Sequence, residues 1–202
     1  MFGNQNRYLK LLVVGLVLLV GCPMVAPAQE TDTTYSLSAY LGAGYARFIT
    51  DLELDGLNKN GFTGTIRVMW EPEHLLSVGL ETGYLRLYSF EQTNLATDFG
   101  TADVSSSLSA VPIRATFSMR IVESVRLTLG LGGFLLFSRV TTPDNETSAT
   151  QYSIGGFIAA SYMKNVGDNL ALGGEVQYSL INKIQDNTLG IQLVLAYRLL
   201  EY

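Results

Sequence analysis

The sequence predicts an all-β fold, an eight-stranded antiparallel up-and-down transmembrane β-barrel. Three observations lead there. Downstream of an apolar N-terminus, eight stretches alternate apolar and polar residues. The connectors between them alternate long and short, beginning and ending on a long one. Within each stretch the charged residues fall on the face opposite the apolar one, since successive side chains of a strand point to opposite sides. The long connectors are Thr50 to Gly61, Glu91 to Asp103, Thr141 to Ala149 and Asn182 to Asn187; the short ones are Glu71 to His74, Ile121 to Ser124 and Asn165 to Asp168. That order returns the chain to the side it started from, so the strand number is even. In bacterial outer-membrane barrels short turns face the periplasm and long loops the exterior.

The first 28 residues read as a secretory signal peptide: Arg7 and Lys10, the apolar run Leu11 to Val20, then the small-x-small pattern Ala26-Pro27-Ala28. The run is about half the ~20 residues a spanning helix needs. Leu19-Val20-Gly21-Cys22 also looks like a lipoprotein processing box that would leave Cys22 lipidated, but the small and apolar residues Pro23 to Ala28 favour cleavage after Ala28. Residues 29–202 then form one barrel domain without a disulfide, because Cys22 is the sole cysteine. Losing Arg7 and Lys10 leaves 11 of the 13 basic residues against 18 acidic ones, a formal charge of -7, which argues against nucleic acid as a partner.

In the first strand Tyr35, Leu37, Ala39, Leu41, Ala43 and Tyr45 share one face. Tyr35 and Tyr45 are ten steps apart, about 33 Å along a strand. A tilt of roughly 40° brings this to about 25 Å of depth, the spacing between two aromatic girdles. The second strand repeats the phase with Phe62, Ile66, Val68 and Trp70, and the third with Leu76, Val78, Leu80 and Tyr84. The fourth and fifth carry Val111, Ile113, Phe117 and Met119, then Leu127, Leu129, Leu131, Leu135 and Phe137. The sixth offers Tyr152, Ile154, Ile158 and Tyr162, the seventh Leu172, Val176, Tyr178 and Leu180, the eighth Leu189, Ile191, Leu193, Leu195 and Tyr197. A soluble barrel such as a lipocalin would put these apolar residues inside and its charges outside.

The opposite face carries Arg67, Glu81, Arg114, Glu175, Gln177 and Gln192 near mid-strand. A basic residue facing hydrocarbon costs about 2–4 kcal/mol at the midplane, so these residues should point inward and pair across the lumen. Eight strands leave just enough interior for side chains to fill, so a packed polar core is the leading expectation. Many glycines also face inward, among them Gly42, Gly79, Gly130 and Gly155. They serve either twist and close packing, or a hollowed lumen in which Phe134, Phe157 and Leu136 line an apolar pocket toward the outer half.

Ser109-Ala110-Val111-Pro112-Ile113-Arg114 resembles the proline-bearing strand of the outer-membrane β-barrel domain family that includes the PorT-like proteins. Glu175-Val176-Gln177-Tyr178-Ser179-Leu180 and Leu193-Val194-Leu195-Ala196-Tyr197-Arg198-Leu199 look like its last two strands. The resemblance spans the mature chain and implies an architecture akin to the OmpA- and OmpX-like eight-stranded barrels. Pro112 cannot donate to a ladder, which implies a bulge near Val111 and Pro112. Such barrels end on an aromatic residue in phase with the lipid face, a signal for the barrel-assembly machinery. Tyr202 is out of phase with Leu195, Tyr197 and Leu199, so either the strand stops near Leu199 or a bulge restores the phase.

Catalytic chemistry finds little support. Some small barrels act on lipid A with serine and histidine near the outer rim, but the only histidine, His74, falls in a periplasmic turn. Asp51, Glu53, Asp55 and Gly56 approximate the opening of a calcium loop, yet its twelfth position is Phe62 where a bidentate glutamate is needed. Asn145-Glu146-Thr147 matches a glycosylation acceptor that a bacterial envelope would leave unused. No catalytic residue, metal or cofactor is therefore expected. The sequence points to a non-enzymatic integral protein of a Gram-negative outer membrane, with a polar, largely plugged interior and a structural, adhesive or partner-binding role. The alternative is a narrow porin or a barrel passing a small apolar ligand. Expected partners are outer-membrane lipid and lipopolysaccharide, the assembly machinery, and an extracellular or envelope protein.

Overall fold

The structure, a computed structural model, describes residues 35–50, 56–72, 76–97, 100–143, 145–182 and 186–202. The signal-like segment with Cys22, the acids Asp51, Glu53 and Asp55, and His74 lie outside the described residues. The strands are β1 (Tyr35–Ile49), β2 (Leu57–Asn58), β3 (Asn60–Pro72), β4 (Ser77–Thr97), β5 (Gly100–Val122), β6 (Val125–Thr142), β7 (Asn145–Asn165), β8 (Leu170–Ile181) and β9 (Asp186–Glu201). Their order is β4-β3-β1-β9-β8-β7-β6-β5, and β5 pairs back onto β4 to close a ring of eight antiparallel strands. The two-residue β2 lies outside that ring order and pairs with β4 through Leu57↔Phe90 and Asn58↔Ser89.

Exposure fixes which face meets lipid. Leu193 is 73% and Leu80 69% exposed, whereas Glu81 and Glu175 are each 2% exposed. The apolar band surrounds the ring and the ionised groups lie within it, the inverse of a water-soluble barrel.

Strand ends differ from the sequence expectation in two of the outer connectors. Glu91 to Asp103 is mostly strand, with Gln92↔Val104 and Thr97↔Gly100 paired; Thr141 to Ala149 likewise, with Thr142↔Asn145 paired. Apolar alternation stops at the membrane surface because both faces of these hairpins are wet, but the backbone ladder continues, favoured by β-branched residues such as Val104, Thr141, Thr147 and Thr150.

Bulges also fall in unexpected places. The β5–β6 ladder runs through Val111 and Pro112, and the β4–β5 ladder resumes past them in unchanged register. The proline is accommodated by a gap in the β4–β5 ladder opposite Gly83 and Tyr84, and the Thr82 hydroxyl donates to the Pro112 carbonyl at 2.9 Å. The shift comes further out, where Leu87 is the extra residue between Arg86 and Tyr88. A second shift settles the C-terminus: Leu37 pairs with Leu200 but Ser38 with Arg198, so Leu199 bulges. Beyond it Tyr202 exchanges backbone bonds with Tyr35 and lies on the same face.

Candidate functional site

The lumen is built in three levels. At mid-barrel, strand phase and register make Arg67, Glu81 and Arg114 direct neighbours on β3, β4 and β5, and Glu175 and Gln192 neighbours on β8 and β9. Arg67 Nε donates to Glu81 Oε2 at 2.7 Å. Its Nη1 and Nη2 reach across the lumen to Glu175 Oε2 and Oε1 at 3.1 and 3.0 Å. Arg114 donates from Nη2 to Glu81 Oε1. Gln192 Nε2 donates to Glu175 Oε1 at 2.8 Å, and the Thr65 hydroxyl donates to Gln192 Oε1 at 3.1 Å. Gln177 is best assigned with its amide oxygen toward Arg114, where it accepts from Nη1 and Nη2 at 3.0 and 2.9 Å. All six sequence-predicted polar residues thus meet in one cluster of two arginines, two glutamates and two glutamines. Its formal charge is zero, which matters because an unpaired ion surrounded by hydrocarbon is costly.

Aromatic rings floor this cluster. The Arg114 guanidinium lies 4.1 Å from the Phe157 ring centre and 5.5 Å from that of Phe134, within cation–π range. The inward glycines admit these rings. A Cβ on Gly130 would stand 2.6 Å from Phe157 Cδ1, and one on Gly155 would stand 2.9 Å from Phe134 Cε2. At these two positions a neighbouring aromatic ring stands where a side chain would otherwise be. Toward the outer end Phe48, Leu85, Leu87, Leu108, Phe134 and Leu136 pack as an apolar layer. Phe134 and Leu136 belong to this layer, and Phe157 is buried against the Arg114 guanidinium. Beside Arg114, Gln177 and Gln192 a cavity of about 20 Å³ remains, room for one water.

The third level, near the short turns, was missed in the sequence. Glu71 accepts from Arg126 Nη1 at 2.5 Å and Nη2 at 2.9 Å, and the Tyr40 hydroxyl donates to its Oε1. The signal was available: Glu71 continues the inward phase of Arg67 and Met69, but the apolar alternation ends at Trp70 and the residue reads as turn. Below this triad a vestibule of about 200 Å³, rimmed by Arg120, Glu123, Asp168 and Arg198, opens on the side of the short turns. Among the described residues no group of three or more histidines, cysteines and acids is placed to hold a metal ion.

A closed antiparallel ring, greasy outside and ionised within, fits one class of protein. The profile of the outer membrane protein beta-barrel domain matches residues 14–198. The chain belongs to this family. Among solved structures it is similar to a major outer membrane protein from Thermus thermophilus, at 15% identity over 81% of this chain and 98% of that one, with a TM-score of 0.52. It is also similar to Neisserial surface protein A (15% identity, 81% and 98% covered, TM-score 0.48) and to Ail of Yersinia pestis (16% identity, 85% and 100% covered, TM-score 0.45). At such identities the likeness speaks for the fold alone. No curated protein matches the sequence.

In this outer-membrane barrel Tyr45, Trp70, Tyr84, Phe117, Phe137, Tyr152, Tyr162 and Tyr197 are exposed on the outer surface, while Tyr35 and Tyr178 are half-buried. Tyr35 stacks on Trp70 at 5.5 Å and on Tyr202 at 6.0 Å, and Trp70 Nε1 donates to the Tyr202 hydroxyl at 3.3 Å. This group joins β1, β3 and the end of β9 at the seam where the first and last strands of the ring pair.

Proposed function

We propose that the protein is a non-enzymatic outer-membrane scaffold with a plugged lumen that carries its outer hairpins into the extracellular space for contact with a partner. The observation that carries this reading is the neutral mid-lumen cluster, in which every charged group is engaged, packed beneath an apolar layer. Glu71, Glu81 and Glu175 are each held by arginine, so none is free to act as a general base. Lipopolysaccharide and lipid surround the greasy band, the assembly machinery inserts the chain, and the host is Gram-negative. Cleavage after Ala28 leaves Gln29 as the first residue, which N-terminal sequencing of protein from membranes would read directly. The functional test is planar-bilayer recording of the refolded chain. We expect no sustained unitary current; a stable conducting state would replace the scaffold by a narrow pore.

A further inference from the structure

The lumen is stoppered toward the short turns as well as toward the outer hairpins. Between the mid-lumen ions and the Glu71 triad, Tyr40, Met69, Val194 and Ala196 form a buried apolar cluster. The vestibule of about 200 Å³ beneath them is therefore a cup closed at its inner end. Met163 and Ala171 pack against the same cluster and also line the cup, which gives its wall a short apolar strip. The cup opens on the side of the short turns, periplasmic in barrels of this kind. It is smaller than the roughly 300–1,000 Å³ of sites for drug-sized ligands, so it suits a small solute.

Strand phase brings three arginines to this cup. Arg120 continues the inward face of the buried Arg114, Thr116 and Ser118, Arg126 stands directly opposite it in the β5–β6 ladder, and Arg198 enters from β9. Like charges facing each other across a ladder repel. Only one of the opposed pair is neutralised. Glu71 commits both oxygens to Arg126 and accepts from Tyr40 as well, while Glu201 holds Arg198 at 2.8 Å. Among the described residues no ion pair or hydrogen bond engages the Arg120 side chain. The carboxylates of Glu123, in the β5–β6 turn, and Asp168, in the β7–β8 turn, also line the cup and likewise have no ion pair among the described residues. One uncommitted cation and two uncommitted anions thus share a small cup with an apolar strip.

We propose that this cup is a binding site for a small zwitterion of the α-amino-acid class. Its carboxylate takes the guanidinium of Arg120, whose planar fork of donors matches two carboxylate oxygens. Its ammonium group lies toward Glu123 and Asp168, and a short alkyl side chain rests on Met163 and Ala171. The ligand's carboxylate also relieves the repulsion between Arg120 and Arg126. Selectivity comes from the charges that oppose each half of the ligand: a plain anion meets Glu123 and Asp168, and a plain cation meets Arg120. Entry and exit are on one side, so this role adds to the scaffold reading without depending on it.

The test is NMR titration of the refolded chain in lipid nanodiscs, near pH 7 and at about 0.15 M salt, where loose attraction between exposed charges is screened. The reporters are the Arg120 Nε–H and the Met163 methyl group. The probe is alanine, with propionate and ethylamine as its two halves. Alanine should shift both reporters saturably with a Kd of about 1–10 mM, and each half should bind at least about tenfold more weakly. Arg120→Gln should weaken alanine at least about tenfold at the Met163 methyl while the Arg114 signals of the mid-lumen stay in place. Glu123→Gln combined with Asp168→Asn should weaken alanine but strengthen propionate. No saturable shift at about 100 mM alanine overturns the proposal. So does a response to propionate or ethylamine as strong as that to alanine, which would make the cup a site for a single charge, or binding that survives Arg120→Gln.

Discussion

Removing the charge of Arg114 tests the mid-lumen cluster most directly. Arg114→Met keeps most of the side chain's length but leaves two carboxylates facing one arginine. Glu81 still holds Arg67 at 2.5 Å, so the lost pair should cost near the lower end of the range for breaking a buried ion pair, about 3 kcal/mol. Losing the cation over Phe157, 4.1 Å from the ring centre, adds about 1–2 kcal/mol. The single variant should therefore lose about 4–5 kcal/mol. Adding Glu81→Gln restores neutrality, because Arg67 then balances Glu175 through its two bonds. The double variant should regain about 2–3 kcal/mol relative to the sum of the single losses. Urea unfolding of vesicle-inserted barrel measures this, with Trp70 as the one tryptophan reporter. If the losses add to within about 0.5 kcal/mol, Arg114 and Glu81 are not coupled and the account of the lumen is wrong.

Two further outcomes follow from packing. Gly130→Ala places a Cβ against the Phe157 ring and should destabilise the barrel by about 1–3 kcal/mol, but should be nearly neutral in a Phe157→Ala background; equal costs in both backgrounds would remove the ring as the cause. Tyr202→Ala deletes a stacked ring and the acceptor for Trp70 Nε1, so about 1 kcal/mol of stability should go together with a shift in Trp70 emission. Unchanged emission would show that the terminal ring does not rest there in solution.

The fold was legible because lipid enforces the code. Each residue between the girdles faces either hydrocarbon or a crowded lumen, and the two environments demand opposite chemistry, so the phase from Tyr35 to Tyr45 carries over to Tyr152 and Tyr162. Outside the band that constraint lapses. The hairpin stretches Glu91–Asp103 and Thr141–Ala149 read as loops because hydroxyl and acidic residues are equally at ease on both of their faces. Proline misled for a related reason: the missing N–H of Pro112 needed only an unpaired stretch opposite, and the Thr82 hydroxyl satisfies the freed carbonyl.

Within the lumen, phase places a residue inside but not against a particular partner. Arg67, Glu81 and Arg114 are ladder neighbours, so their contact follows once the short turn between β3 and β4 fixes the register. Arg67 and Glu175 are 108 positions apart and meet across the axis. Their meeting depends on the stagger of the whole ring, a quantity no single strand encodes. Of the register shifts at Leu87 and Leu199, the second was signalled by the phase of Tyr202, whereas Leu87 reads from the sequence as an ordinary strand position. Arg67↔Glu81, Glu81↔Arg114 and Glu175↔Gln192 pair directly, so the charged level is set by unbroken ladders, and the bulges reset side-chain phase only beyond it, toward the outer hairpin and the C-terminus.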